Sequence, residues 1–294
     1  SGMEKVKRKV RYYCEDTIYK GCNGKGVGIA VLDTGISLHP DLKHRITAWK
    51  DFVAEKEVPY DDSSHGTHVA GILSGEGIVS RGQNKGMAPG ASLCVLKILD
   101  QNGRGTVSTF LKAVDWLVCQ RKRYGIRIVN LSVGMPAREK KTELAMIAGV
   151  EELWDQGMVV VVSAGNEGPA KGTVCVPGSS KKVITVGSSD LLEGRSAISG
   201  RGPTTECVCK PDIVAPGNRI MSCVPGKPFS YGVKSGTSMS TPLVTGAIAC
   251  ALEKDPALTN TDIKTMLMNS ADDLGLPRNQ QGWGRFNRRR FLGM

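Results

Sequence analysis

Four consecutive valines inside GMVVVVSAGN (157–166) constrain the fold more than any other feature. A strand with one wet face alternates apolar and polar residues. An unbroken apolar run must be covered on both faces, as in a parallel sheet sandwiched between helices. GVGIAVLDTG (26–35) has the same character, and ASLCVLKILD (91–100), IRIVNLSVG (126–134) and KKVITVGSS (181–189) resemble it. Between these runs, apolar residues recur at helical spacing over 68–74, 108–120 and 142–156. LTNTDIKTMLMNSA (258–271) reads as a late helix with Thr259 or Asn260 near its cap. Alternating strands and helices predict an α/β fold: a doubly wound, mostly parallel central sheet with helices on both faces. In such a sheet, functional groups gather beyond the carboxyl ends of the strands.

The 294 residues contain no repeat or low-complexity linker, so one large domain is expected. No apolar run is long enough to span a membrane. The start, SGMEKVKRKVRYYC, has charge but no apolar core of a secretory signal. Ser1-Gly2 reads as a cloning remnant ahead of a native Met3. Net charge is +11, much of it at the ends: Lys5, Lys7, Arg8, Lys9 and Arg11, then Arg285, Arg288, Arg289 and Arg290. No nucleic-acid-binding motif accompanies it, so the ends are expected to be solvated basic arms and no nucleic-acid partner is expected. Acidic peptides would suit this charge. Nine cysteines, an odd number, fit reduced thiols in a cytosol better than a disulfide framework. Cys207-Val-Cys209 is too sparse for a zinc site.

KSGTSMSTPLVTGAIACALE (234–253) raises a sharper question. Gly236 allows a tight turn, and Leu243, Val244, Ala247, Ile248 and Ala251 then follow at helical spacing. Pro242 suits a first turn. Ser238 therefore sits at a helix start, where it serves either as a cap or as a nucleophile. The second role needs a base, a group that orients the base, and donors for an oxyanion.

Other loops offer them. AVLDTG ends a strand with Asp33, which as an isolated feature is a turn cap. DSSHGTHVAG puts His65 and His68 at a helix start. The pair could be ordinary polar residues or ligands of a metal, although the H-E-x-x-H pattern is absent. VVSAGNEGP ends a strand with Asn166, by itself a turn residue beside glycine. Together, the set has a chemical logic. A neutral imidazole activates a serine hydroxyl, and a carboxylate fixes the tautomer of that imidazole. The free N–H at a helix start, with the Asn166 amide, meets the developing oxyanion.

The segments AVLDTGISLHPDL, HGTHVAGIL, VVSAGNEGP and GTSMSTP resemble the signature blocks of the subtilisin-like serine proteases, the subtilases. MAPGASL, SGRGPT and KPDIVAPG resemble further family segments. The likeness runs over residues 24–286, leaving 1–23 as a basic N-terminal arm and 287–294 as a basic tail expected to hang in solvent. It implies a serine endopeptidase with Asp33 as orienting acid, His65 as general base, Ser238 as nucleophile and Asn166 in the oxyanion hole. His68 is structural by the same resemblance. Ser240 stands where the family usually carries Ala, a change not expected to abolish activity.

The resemblance also implies where a substrate peptide lies. NLSVG (130–134), with Ser132, Val133 and Gly134, resembles the strand that pairs with it on the acyl side. NGRGTVS (102–108), with Gly103, Arg104 and Gly105, resembles the opposite strand. The S1 pocket falls between residues 132–134, Ala164 with Gly165, and TVCVPG, with Cys175 at its base and Glu167 at its rim. Val107 and Phe110 help line S4, and apolar P1 residues are expected to be accepted. No cofactor is required. Family calcium near the base helix is not expected: SGEGIVSRGQNKGMAPG (74–90) offers Glu76, Gln83 and Asn84 but no dense carboxylates, although Asp41 matches one ligand position. Calcium elsewhere stays open.

The block pattern is most similar to the intracellular bacterial type, implying a cytoplasmic location, or a secreted one if an upstream signal and pro-region were removed. The expected partner is a peptide or protein substrate, with general turnover and dedicated leader processing as alternatives. A catalytically silent fold used as a binding module is the competing class, which the complete residue set disfavours. Oligomeric state is not legible.

Overall fold

The computed structural model describes residues 2–10, 23–135 and 139–294. Seven strands form one parallel sheet: β1 (Gly28–Asp33), β2 (Ile46–Asp51), β3 (Ser92–Lys97), β4 (Ile126–Leu131), β5 (Val159–Ser163), β6 (Ile184–Ser188) and β7 (Ile213–Ala215). Their order is β2-β3-β1-β4-β5-β6-β7. The chain departs from β1 in both directions, so a crevice opens at the carboxyl end of β1, where Asp33 stands.

The valine run explains the two-sided packing. Val159 and Val161 of β5 join Ile29 and Val31 of β1 in one core, whereas Val160 and Val162 join Ala30 and Leu32 in another. The first core holds α2 (His65–Ser74) and α5 (Thr237–Lys254), and the second holds α3 (Val107–Gln120) and α4 (Lys140–Asp155). This is the expected doubly wound α/β architecture. The capping box of α6 (Asn260–Ser270) is also in place, with Thr259 as its N-cap.

Three features differ from expectation. The half-buried edge strand β2 and a separate antiparallel hairpin, β8 (Ile220–Val224) with β9 (Ser230–Lys234), carry no continuous apolar run. Helix α2 begins at His65, three residues before the apolar pattern starts. The described parts of the chain ends, finally, are not solvated arms. Helix α1 (Gly2–Lys9) buries Met3 and Val6, with Val10 completing the stripe, and packs on β8. At the other end, Phe286, Phe291 and Leu292 join the first core and Arg288 is fully buried. The ends meet where the Arg288 N–H donates to the Val10 carbonyl (2.8 Å). Apolar residues interleaved with the charges override the basic composition. Arg11, Cys14 and Cys22 lie outside the described residues.

Candidate active site

Asp33 is fully buried at the end of β1. Its Oδ1 accepts the Thr34 N–H and lies 2.7 Å from His65 Nδ1. A carboxylate only accepts, so Nδ1 carries the proton and Nε2 keeps its lone pair. Burial of His65 opposes the imidazolium, but the charge and hydrogen bond of Asp33 outweigh it, holding the pKa above the ordinary histidine value. Gly66 makes this approach possible: a Cβ there would stand 2.2 Å from the Gly35 carbonyl oxygen and 3.2 Å from Asp33 Cβ.

Ser238 is not a cap. Gly236, at φ 139°, is the N-cap of α5, and Ser238 is the second helical residue. Its N–H therefore has no intrahelical acceptor, and it lies at the positive end of the helix dipole. The Ser238 hydroxyl donates to the Ser132 carbonyl at 2.5 Å, so its proton must leave that acceptor before a base can take it. Asn166 follows β5 and is exposed. Its Oδ1 accepts from Thr237 N–H (2.9 Å) and Thr237 Oγ1 (3.2 Å). With the oxygen so held, the amide presents Nδ2 as its free donor. Thr237, which the sequence reading passed over, also accepts the Gly165 N–H through its hydroxyl.

The three loops nominated for substrate contact converge. Gly103, Arg104 and Gly105 share a 390 Å³ cavity with Val107, Phe110, Val133 and Gly134. Leu99, Met135 and Met146, not foreseen, complete its apolar wall. Cys175 is buried between two other predicted segments, its N–H donating to the Ala164 carbonyl. A Cβ on Gly165, at φ 88°, would lie 2.2 Å from Cys175 Sγ, and one on Gly134 would lie 3.0 Å from Cys175 Cβ. Burial, with the nearby Glu167 charge, pushes the Cys175 thiol up to about 11, so it is held as a neutral thiol.

His68 lies in the core. Its Nε2–H donates to the carbonyls of Ile220 (2.9 Å) and Gly232 (3.1 Å), stitching α2 to the hairpin. Burial brings its pKa down to about 4. Ser240 Oγ is buried without a hydrogen-bond partner.

The donor set around Asp41 does not fit calcium, which takes six to eight oxygen ligands. Asp41 Oδ1 accepts the Val79 N–H (2.9 Å), and Oδ2 accepts the Tyr231 hydroxyl (2.6 Å) with Cys223 Sγ at 3.7 Å. The imidazole of His39 fills the adjacent side. These neighbours supply protons, nitrogen and sulfur where a hard cation needs oxygen.

The family profile described as "Subtilase family" matches residues 24–284. The chain is 40% identical over 273 residues to Serine protease AprX of Bacillus subtilis (strain 168), covering 85% of this chain and 62% of AprX. It thus spans less than two thirds of AprX. It is 36% identical over 260 residues to Subtilisin Savinase of Lederbergia lenta, covering 87% of each. Among solved structures, Sphericase superposes with a TM-score of 0.79 at 28% identity, over 96% of both chains. A cold adapted subtilisin-like serine proteinase gives 0.74 at 27% identity, over 90% of both.

Proposed function

The chain belongs to the subtilase family of subtilisin-like serine endopeptidases, and we propose that it cleaves peptide bonds through Ser238, His65 and Asp33 with Asn166 in the oxyanion hole. The observation that carries this reading is the 2.7 Å contact between Asp33 and His65, in a chain that also sets Ser238 at the free N-terminus of a buried helix. Ser238 Oγ attacks the scissile carbonyl carbon as His65 Nε2 takes its proton. The carbonyl π pair moves onto oxygen and is met by Ser238 N–H and Asn166 Nδ2. On collapse, the C–N bond breaks and His65 protonates the leaving amine, leaving an ester on Ser238. A water, deprotonated by His65, attacks that ester, and release of the carboxylate product returns the proton to Ser238. Asp33 stays ionised and stabilises each transient imidazolium.

The peptide runs between residues 103–105 and 132–134 in main-chain pairing, with side chains entering the 390 Å³ apolar cavity and the P1 side chain directed toward Gly134 and Gly165, between which Cys175 is packed. Because Cys175 fills space between Gly134 and Gly165, small apolar P1 residues fit best. The protonated donors at Asp41 support activity without calcium at that site. Among the described residues, the free thiols of Cys94, Cys119, Cys175, Cys207, Cys209 and Cys223 support a reducing compartment. No helix among the described residues is long and apolar enough to cross a membrane. Incubating the protein and its Ser238→Ala variant with an unstructured protein, then sequencing the fragments, tests the proposal. Internal cleavage by the wild type alone is expected, and equal cleavage by both would refute it.

A further inference from the structure

Asp61 is a side chain that the sequence reading did not single out. Its carboxylate accepts five hydrogen bonds from three segments. Oδ1 takes the Thr34 hydroxyl (2.9 Å) and the N–H groups of Ser63 (3.0 Å) and Ser64 (2.9 Å). Oδ2 takes the N–H (2.9 Å) and hydroxyl (2.5 Å) of Thr67. Thr34 directly follows Asp33, Ser64 directly precedes His65, and Thr67 lies in the first turn of α2. The clamp is closed by Thr34 Oγ1, which donates to Asp61 and accepts the N–H of Gly66 at 2.9 Å. Ser64 needs such a hold, because it adopts φ 80°, a left-handed conformation uncommon outside glycine. Lys97, fully buried, donates to the Thr34 carbonyl and pins the same turn from β3.

We infer that Asp61 is a positioning residue for proteolysis: it ties the strand end bearing Asp33 to the helix start bearing His65 and thereby sets their contact. The assignment rests on the endopeptidase reading above. Thr34 is the relay, since its hydroxyl bridges the carboxylate and the helix. The negative charge adds an electrostatic role. The charged groups acting on His65 are Asp33 from β1, Lys234 from β9 and Asp61 itself; His68, one turn along α2, is neutral where His65 titrates. Asp33 and Asp61 favour the imidazolium, and Lys234 opposes it.

Two substitutions separate geometry from charge. Asp61→Asn keeps the shape, but its NH₂ must face an N–H that formerly had an acceptor. A positional slip of this kind is expected to cost about 10–100-fold in kcat with KM little changed. Loss of the charge should also move the acid limb of the kcat/KM profile down by about half a pH unit. Thr34→Val removes the relay and keeps the charge, so kcat should fall with the limb in place, and Thr34→Ser should restore most of the loss. A folded Asp61→Asn protein with kcat within twofold of wild type, or with an unmoved limb, would overturn the assignment. Should Asp61→Asn fail to fold, equal kcat for Thr34→Val and Thr34→Ser would overturn it. Absence of Ser238-dependent turnover in the wild type would instead remove the endopeptidase reading, and this assignment with it.

Discussion

His68 should make the folded state sensitive to mild acid, by an amount that follows from its surroundings. It is fully buried, donates through Nε2 to two carbonyls, and has a pKa near 4. In the unfolded chain it titrates near the ordinary value of about 6.5. A histidine with a depressed folded pKa contributes stability above its unfolded pKa, and loses it as pH falls toward the folded value. At about pH 4.5, nearly every unfolded molecule carries that proton but only about a quarter of folded ones do, so His68 alone should lower stability by roughly 2 kcal/mol relative to pH 7. His39, also lowered by burial, adds in the same direction. His65 acts in the opposite direction: its raised folded pKa contributes stability that is complete only below the unfolded value of about 6.5, so it gains on going from pH 7 to 4.5, equally with and without the His68 substitution. Asp51 and Asp61, held low by hydrogen bonds, lose their contribution only below about pH 4. The assay is urea unfolding at pH 7 and 4.5 in a Ser238→Ala background, which prevents self-digestion, with and without His68→Gln. The pH-dependent loss should shrink by about 2 kcal/mol in the glutamine protein. Identical losses in both, within about 0.5 kcal/mol, would refute the reasoning.

Further predictions follow from the same geometry. Asn166→Ala should lower kcat by about 10²–10³ while leaving KM nearly unchanged, the loss found when one such donor is removed from a subtilisin; a change confined to KM would speak against the oxyanion role. Activity should decline as pH falls through a value above about 6.5, because the base must be neutral and Asp33 raises its pKa; a rate flat down to about pH 4 would contradict a His65 base. Ser240→Ala should stabilise the protein by about 1 kcal/mol in the same urea assay, since its hydroxyl is buried and unpartnered. Cys175→Gly should widen P1 acceptance toward larger apolar residues in a peptide library, and an unchanged profile would take Cys175 out of the pocket.

Much of the scaffold is legible because it rests on a strong physical signal. Runs such as Val159 to Val162 cannot be half-exposed, so sandwiching helices follow from them. Asp33, Asn166 and Ser238 stand out as candidates because each ends a glycine-bounded run or starts an apolar helix. What the sequence hid depends on partners distant along the chain. A serine in a first helical turn reads alike whether it caps the helix or faces a cleft; the difference lies in Gly236 taking the cap and Ser132 receiving the hydroxyl. Asp61 looks like a loop carboxylate until Thr34 and Thr67 close around it. Helix α1 was obscured because its lysines and arginines dominate an eight-residue segment, whereas Met3 and Val6 decide where it goes. Strand β2 is six residues long, without strict alternation and with a register shift after Ile46, so it leaves no two-residue period to read.

The central claim is that Ser238 is an activated nucleophile, and a fluorophosphonate tests it most directly. The wild type and the Ser238→Ala variant are treated at neutral pH and their intact masses read. One adduct on the wild type and none on the variant is the predicted result. No adduct on either, from a protein that is folded, would contradict the account and favour a subtilase fold used for binding alone.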